Sequence, residues 1–329
     1  MARLAQSVAL RRYLDRHIEP DLPDLPQTHS HWRHALVVPA YRERADLLTV
    51  LGQLTAGATG RVLIVLVLNR PDSDIDESAN GPLRSAIESL PQDRQYRGQQ
   101  LYRLTEHTDL YLLDLEQQRG ALPRDMGVGL ARKCGCDLVM RWMAEGALQD
   151  KWICTTDADA TLPVDYFARL ESIDAAAAVF PFRHVPGPSA PCNQATALYE
   201  LRLHHYVLGL EYAASPYAFH TLGSCMAINA TAYAQVRGFP KRSGGEDFYL
   251  LNKIAKTGPV SRLAGSCISL ESRESERVPF GTGPAVRDIV NADDMTTLPL
   301  YYHPEIFHAL KMLLLVVPIL FEDREVTIK

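Results

Sequence analysis

Short apolar runs alternate along this chain with longer segments whose apolar residues recur at helical spacing. That alternation predicts an α/β fold with a parallel or mostly parallel sheet flanked by helices. Ala35-Leu36-Val37-Val38 is the first predicted strand. Val62–Leu68 is apolar throughout, as a central parallel strand covered on both faces should be. Leu110–Leu115, Trp152–Thr156, Ala175–Phe182, Leu222–Asn229 and Val260–Ser269 read as further strands. Helices are predicted at Ala2–His17, Asp46–Leu54 with Asp46 as its cap, Pro82–Leu90, Gly127–Glu145, Thr196–Leu210, Thr231–Val236 and Glu246–Thr257. Pro20, Pro23 and Pro26 make an extended linker, and the polar stretch Gln92–Gln100 reads as loop or irregular helix. No internal repeat is evident.

Leu310–Phe321 is the one segment that reads as able to touch a membrane, with Leu313-Leu314-Leu315-Val316-Val317 inside it. A span needs roughly 20 apolar residues, so a buried core helix is expected here, with peripheral membrane contact through 310–321 as the alternative.

The formal net charge of -5 argues against nucleic acid as a partner, because phosphate-backbone binding needs a basic surface. Cys134 and Cys136 form a C-x-C pair that no second pair completes into a zinc site, and Cys154 and Cys267 lie in apolar runs. Reduced thiols and a cytoplasmic location are therefore expected, at most peripheral at the inner face of a membrane. Arg3, Arg11 and Arg12 interrupt the N-terminal residues, which do not read as a signal peptide.

The candidate chemistry centres on Asp157-Ala158-Asp159, directly after the apolar run Trp152–Thr156. Open α/β sheets bind ligands at the carboxyl ends of their strands. Two carboxylates there suit a hard divalent cation such as Mg2+ or Mn2+, held jointly with substrate phosphates. The competing reading is that one of these acids caps a helix starting at Thr161-Leu162-Pro163.

Three further segments occur in a recognisable order with the acid pair. They are Val37-Val38-Pro39-Ala40-Tyr41-Arg42-Glu43, Gly127-Val128-Gly129-Leu130-Ala131-Arg132-Lys133, and Gly244-Gly245-Glu246-Asp247. In this order the chain resembles the family 2 glycosyltransferases, which have the GT-A fold. The resemblance implies a Rossmann-like nucleotide-sugar half at 35–160 and an acceptor half at 161–283. An N-terminal helix and linker would occupy 1–34, and a helical extension 284–329.

The resemblance also implies roles. Pro39, Tyr41 and Glu43 would frame the nucleoside, and Asn69 would hydrogen-bond the base. Arg132 would reach the phosphates of a nucleoside-diphosphate sugar, UDP being the commonest in the family. Asp157 would bind the ribose or the metal, and Asp159 the metal, Mn2+ or Mg2+. Asp247 would be the general base toward an acceptor hydroxyl, inverting the anomeric centre, and Glu246 would orient the acceptor. An aspartate of ordinary pKa, ~3.9, is already ionised at neutral pH, so position alone would make it a base. Each residue also has a plain structural reading: Tyr41 as a loop aromatic, Arg132 as a surface charge, Glu246 and Asp247 as acids favoured at a helix N-terminus. The loop Arg277–Gly283, with Arg277, Gly281 and Gly283, is a candidate lid. His204, His205, His220 and His303 are candidate third metal ligands. Ala190–Phe219, with Tyr199, Tyr206, Tyr212 and Tyr217, is a candidate acceptor surface, and core packing of those aromatics is the alternative.

The chain departs from the family pattern in two places. The second strand ends Leu68-Asn69-Arg70-Pro71-Asp72-Ser73 instead of in paired acids, and Lys133 stands where an Asn is usual. The Q-x-x-R-W motif of processive synthases is absent. The main rival is a haloacid-dehalogenase-type phosphatase, since Asp157-Ala158-Asp159-Ala160-Thr161-Leu162 fits its D-x-D-x-T loop with Asp157 as nucleophile. A catalytically inactive nucleotide-sugar-binding protein is the non-enzyme alternative. A dehydrogenase would need G-x-G-x-x-G after the first strand, which is lacking.

Overall fold

The computed structural model describes residues 7–26, 31–92, 96–273, 281–292, 294 and 298–322. The chain order begins with α1 (Val8–Arg16), β1 (His34–Ala40), α2 (Leu47–Leu54), β2 (Val62–Leu68), α3 (Gly81–Glu88), β3 (Leu101–Thr105), β4 (Thr108–Asp114), α4 (Leu115–Arg119) and α5 (Gly127–Ala144). It continues with β5 (Trp152–Thr155), β6 (Ala160–Thr161), β7 (Ala177–Val179), β8 (Phe182–Val185), α6 (Ala190–Tyr212), β9 (Met226–Asn229), α7 (Ala230–Gln235) and α8 (Glu246–Ile254). β10 (Val260–Arg262), β11 (Ile268–Glu271), α9 (Thr282–Val290) and α10 (Pro304–Glu322) follow. Two units result, each made of two stretches of chain: Met1–Arg183 with Thr221–Leu270, and His184–His220 with Glu271–Lys329.

The first unit is built on an eight-stranded sheet in the order β10-β7-β9-β5-β1-β2-β4-β3. β1 runs parallel to both β2 and β5, and β2 parallel to β4, while β3 and β9 are antiparallel to their neighbours. Every residue of β2 is fully buried, which explains its unbroken apolar sequence. α5 presses onto this sheet through small residues. A Cβ on Gly135 would stand 2.5 Å from a methyl of Val37 and 2.8 Å from one of Val67, so only glycine permits the approach.

Several expected elements change on folding. β3 lies just beyond the polar stretch expected to be loop or irregular helix and forms the antiparallel edge. Ala175–Phe182 breaks after Val179, and the chain resumes as β8 in a separate three-stranded sheet. Val260–Ser269 splits at a bend containing Gly265, whose φ is +111°. Asp46 occupies the N-cap position of α2 without a side-chain cap bond.

The N-terminal helix is tied to the sheet unit by a buried polar cluster. Asp137, fully buried on α5, accepts from the Tyr13 hydroxyl, from Tyr233 Oη at 3.0 Å, from the Glu19 N–H at 2.9 Å and from Lys133 Nζ at 2.9 Å. Lys133 also donates to Tyr13 Oη and to the His17 carbonyl. Burial raises the Asp137 pKa, and Lys133 opposes that rise. The Lys133 ammonium thus holds the N-terminal helix.

In the second unit, α6 and α9 share a core of Cys192, Ala195, Val286, Ile289 and Leu300, with Tyr199 packed against it. Phe307 of α10 lies over Gly209 of α6, where a Cβ would come within 2.3 Å of the ring. The expectation of a buried core helix at Leu310–Phe321 does not hold. α10 has 19 residues, only 6% of its most apolar window is buried, and Phe307 is its one buried residue. The helix contacts its own unit near its N-terminal end, and the apolar run beyond is left uncovered. Cys134, Cys136, Cys154, Cys192 and Cys225 are buried free thiols, and Cys267 is partly exposed.

Removing the Asp137 carboxylate strands a buried ammonium and three donors. Asp137→Ala is therefore expected to lose about 3–5 kcal/mol of stability in urea unfolding. A loss below about 1 kcal/mol would mean that the cluster contributes little to holding α1.

Candidate active site

The residues singled out near the strand ends fall within the first unit, at or beyond the carboxyl ends of β1, β2 and β5. The Thr156 N–H donates to Val37 O at 3.1 Å, the last link between β5 and β1. Asp157, Ala158 and Asp159 then form a turn, and Ala160 and Thr161 pair with Leu270 and Ser269 as β6. No helix starts at Thr161, because the chain is held there as a strand; the next helical turn is a short one at Ala168–Leu170. Neither aspartate caps a helix at that point. Pro39 is buried in β1, past the last β1–β5 rung. Its missing N–H falls where β5 has turned away, so a central strand accommodates a proline at no ladder cost.

Arg132 organises the acids. It projects from α5, is 3% exposed, and donates through Nε to Glu246 Oε1 at 2.9 Å and through Nη2 to Asp157 Oδ1. Nη1 reaches Thr155 Oγ1 at 2.7 Å and the Gly223 carbonyl at 3.1 Å. The guanidinium expected on substrate phosphates is thus turned into the protein, with all three of its nitrogens engaged. Burial works against its charge, and Asp157 and Glu246 outweigh that penalty, so its pKa lies above the usual value.

Glycines allow the approach. A Cβ on Gly129 would lie 2.5 Å from the Arg242 carbonyl and 2.6 Å from that of Pro240, and the Gly129 N–H donates to Arg242 O at 2.9 Å. Gly245 takes a left-handed conformation, φ +66°, as N-cap of α8, which delivers Glu246 and Asp247 as the first two helical residues. The two motifs, Gly127–Lys133 and Gly244–Asp247, are therefore in contact.

The electrostatics separate the acids. Burial raises the Glu246 pKa, and Arg132 pulls it back. Burial, then the neighbouring Glu246 charge, pushes Asp247 up to about 7, although Arg132 and the Phe248 N–H, 2.7 Å from Oδ1, act the other way. The expectation of an ordinary, fully ionised carboxylate at Asp247 is corrected: the group titrates near neutrality. Asp157 exposes 39% of its side chain and Asp159 is partly exposed. Among the described residues no cluster of three or more His, Cys, Asp or Glu is placed to hold a metal ion. Carboxylate oxygens are ligands that Mg2+ and Mn2+ accept, and Asp157 already shares one of its oxygens with Arg132.

At the ends of β1 and β2, Tyr41 donates its hydroxyl to Asp74, and Arg42, in a left-handed conformation with φ +57°, grips Asp74 through Nε at 2.9 Å and Nη2 at 2.8 Å. Arg42 and Tyr41 hold the Asp74 carboxyl well below the usual range, and burial and Asp74 push Tyr41 up to about 12. Asn69, expected on a base, is buried, and its Nδ2 donates to the carbonyls of Ala40 and Val67. Arg70, Glu116, Arg84 and Asp114 form a partly buried ion network beside it. Glu43 is partly exposed on the same rim.

Gly281, Gly283 and the four histidines belong to the second unit. Arg277 lies outside the described residues. Gly281 and Gly283 begin α9, so the expected glycine loop is there a helix start. His204 packs edge-on to His220 at 4.9 Å, and His205 lies near Tyr301 and Phe307, all in the second unit. His303 is exposed, and its Nδ1 accepts the Glu305 N–H. Tyr199 packs in that unit's core, while Tyr206 and Tyr212 are exposed. Thr155, Gly223 and Asp74 were not singled out from sequence. Gly223 sits in a turn before β9, within the segment Leu222–Asn229 expected to be strand throughout.

No protein-family model matches the chain, and no curated protein matches it. Among solved structures 71 chains match. One is a mannosyltransferase from Pyrobaculum calidifontis in complex with GDP-Man and Mn2+, 15% identical over 96% of this chain and 93% of that chain, with a TM-score of 0.43.

A methyl on Gly223 would fall 2.6 Å from Arg132 Nη2 and 2.8 Å from Cζ, in a side chain pinned on three sides. Gly223→Ala is expected to destabilise the protein by about 1–3 kcal/mol in guanidinium unfolding. An unchanged midpoint would mean that Arg132 is free to move aside.

Proposed function

We propose that the chain is a glycosyltransferase that moves a sugar from a nucleoside diphosphate to an acceptor hydroxyl, with the GT-A arrangement and with inversion at the anomeric carbon. The observation that carries this reading is the meeting of two distant acid motifs on one buried arginine, at the carboxyl end of a parallel sheet, with one acid poised near pH 7.

Asp247 accepts the proton of the acceptor O–H as that oxygen forms its bond to the anomeric carbon. The bond from that carbon to the diphosphate oxygen breaks, and the electron pair leaves with the nucleotide. A carboxylate with pKa near 7 is a stronger base than an ordinary aspartate and is still ionised in a large fraction of molecules at neutral pH. Glu246, held by Arg132, keeps the first turn of α8 in place and sustains the raised pKa of its neighbour. Asp159 and the solvent-facing side of Asp157 would hold a divalent cation, which when bound supplies positive charge against the departing diphosphate. The Tyr41–Arg42–Asp74 clamp stiffens the rim where the nucleoside would rest. The phosphatase reading requires Asp157 as a nucleophile. A carboxylate already bound by a buried guanidinium is poorly suited to attack, which favours the transferase.

The first test is a thermal-shift panel of UDP, GDP, ADP and CDP with and without Mn2+ or Mg2+. A metal-dependent rise is expected with one nucleotide and is expected to vanish in Asp159→Ala. Phosphatase activity on an aryl phosphate, with no nucleotide shift, would sink the proposal.

The pH profile gives a second test. Below about 7 Asp247 is protonated and cannot accept a proton, so kcat/KM should fall about tenfold per pH unit on the acid side and level off above. Asp247→Asn should lower kcat about 10²–10⁴-fold while leaving nucleotide binding intact. Retention of activity in that variant would remove Asp247 as base. Binding without turnover in the wild type, across donors and acceptors, would favour a binding protein.

A further inference from the structure

No residue in the apolar run of α10 is buried: Leu314, Val316 and Leu320 are half-buried and the others are exposed. Met312, Leu313, Leu315, Val317, Ile319 and Phe321 expose between 48% and 84% of their surface. At 3.6 residues per turn those positions point around the whole circumference of the helix. No charged residue stands between Lys311 and Glu322. A soluble helix that is apolar all round is expected in a core, and this one is not in a core. A protein partner or a second copy would grip one apolar stripe and leave the opposite side bare. A lipid phase surrounds a helix on all sides.

The flanks fit the same environment. Near the first turns of α10, Tyr206, Tyr212, Tyr301 and Tyr302 are exposed, Lys311 lies over the Tyr212 ring at 4.3 Å, and Tyr212 Oη lies 3.3 Å from His308 Nδ1. Tyrosines with an apolar body and a wet tip collect at the bilayer–water boundary. The uncharged run is half the length of a span: ten residues rise about 15 Å, against about 30 Å of hydrocarbon.

We propose that Met312–Phe321 of α10 is a membrane anchor that enters one leaflet of a lipid bilayer, with the tyrosine cluster at the interface. The anchor is independent of the proposed reaction. The helix carries acids as well as bases at its ends, Glu305 and Glu322 against Lys311 and His308, so attachment is driven by apolar burial and not by anionic headgroups.

The test is flotation of the full chain with phosphatidylcholine vesicles, with and without phosphatidylglycerol, at low and high salt. The wild type is expected to float with neutral vesicles, and salt should change its partition less than about threefold. Leu313→Asp/Val317→Asp should lower the partition about tenfold or more, with the unfolding midpoint unchanged because both positions are exposed. Failure of the wild type to float overturns the proposal. So does equal flotation of the double variant, or binding confined to anionic vesicles and abolished by salt. Lipid-free dimers that the double variant dissolves, with no flotation, would instead assign the face to a second copy.

Discussion

Arg132 is a buried cation with carboxylates on two sides, and the geometry of the acid cluster follows from it. Asp157 leaves the sheet beside β1, and Glu246 begins a helix much later in the chain. Their charges repel, and Asp247 adds to the repulsion. A single guanidinium, itself desolvated, is what lets these groups share a small volume. It does so because Thr155 and the Gly223 carbonyl take the Nη1 donors and because Gly129 lets the 240–245 loop lie against α5. The raised pKa of Asp247 follows from the same arrangement. Arg132 is committed chiefly to Glu246 and Asp157, so its neutralising effect on the next residue is partial.

Much of this was legible in sequence for physical reasons. β2 was readable because a strand buried on both faces must be apolar throughout, and its observed limits match. α5 and α8 were readable as helices, and the acid pair was placed at a strand end by the run before it. What escaped were features set by tertiary contact. The bend at Gly223–Ser224 exists to wrap a guanidinium, and its local pattern differs little from a strand. Arg132 was identified as part of the site, but the direction of its side chain depends on partners whose positions only the fold supplies. The near-neutral pKa of Asp247 likewise depends on burial and on Glu246, neither of which a motif encodes. Asp74 gathers Tyr41 and Arg42 from a loop, and a loop residue carries no periodic signal.

The apolar C-terminal segment shows a different limit. Composition alone does not separate a core helix from one immersed in lipid, because both environments select the same side chains. The exposure of α10 removes the core reading. Lys133 makes a related point. It reads as a departure from a family pattern, and it becomes intelligible once Asp137, Tyr13 and the His17 carbonyl are seen around it.

That cluster has a consequence for the order in which the protein is made. Tyr13 and Asp137 are 124 positions apart, and Tyr233 closes on the same carboxylate from 96 positions further along. α1, with Leu10 and Tyr13 buried in the fold, is synthesised well before its anchor on α5. Contacts between residues so distant in sequence form slowly, and apolar surface waiting for them is open to wrong partners. The first helix of this chain is therefore among the last parts to be secured, and its fidelity depends on how quickly the sheet unit closes behind it.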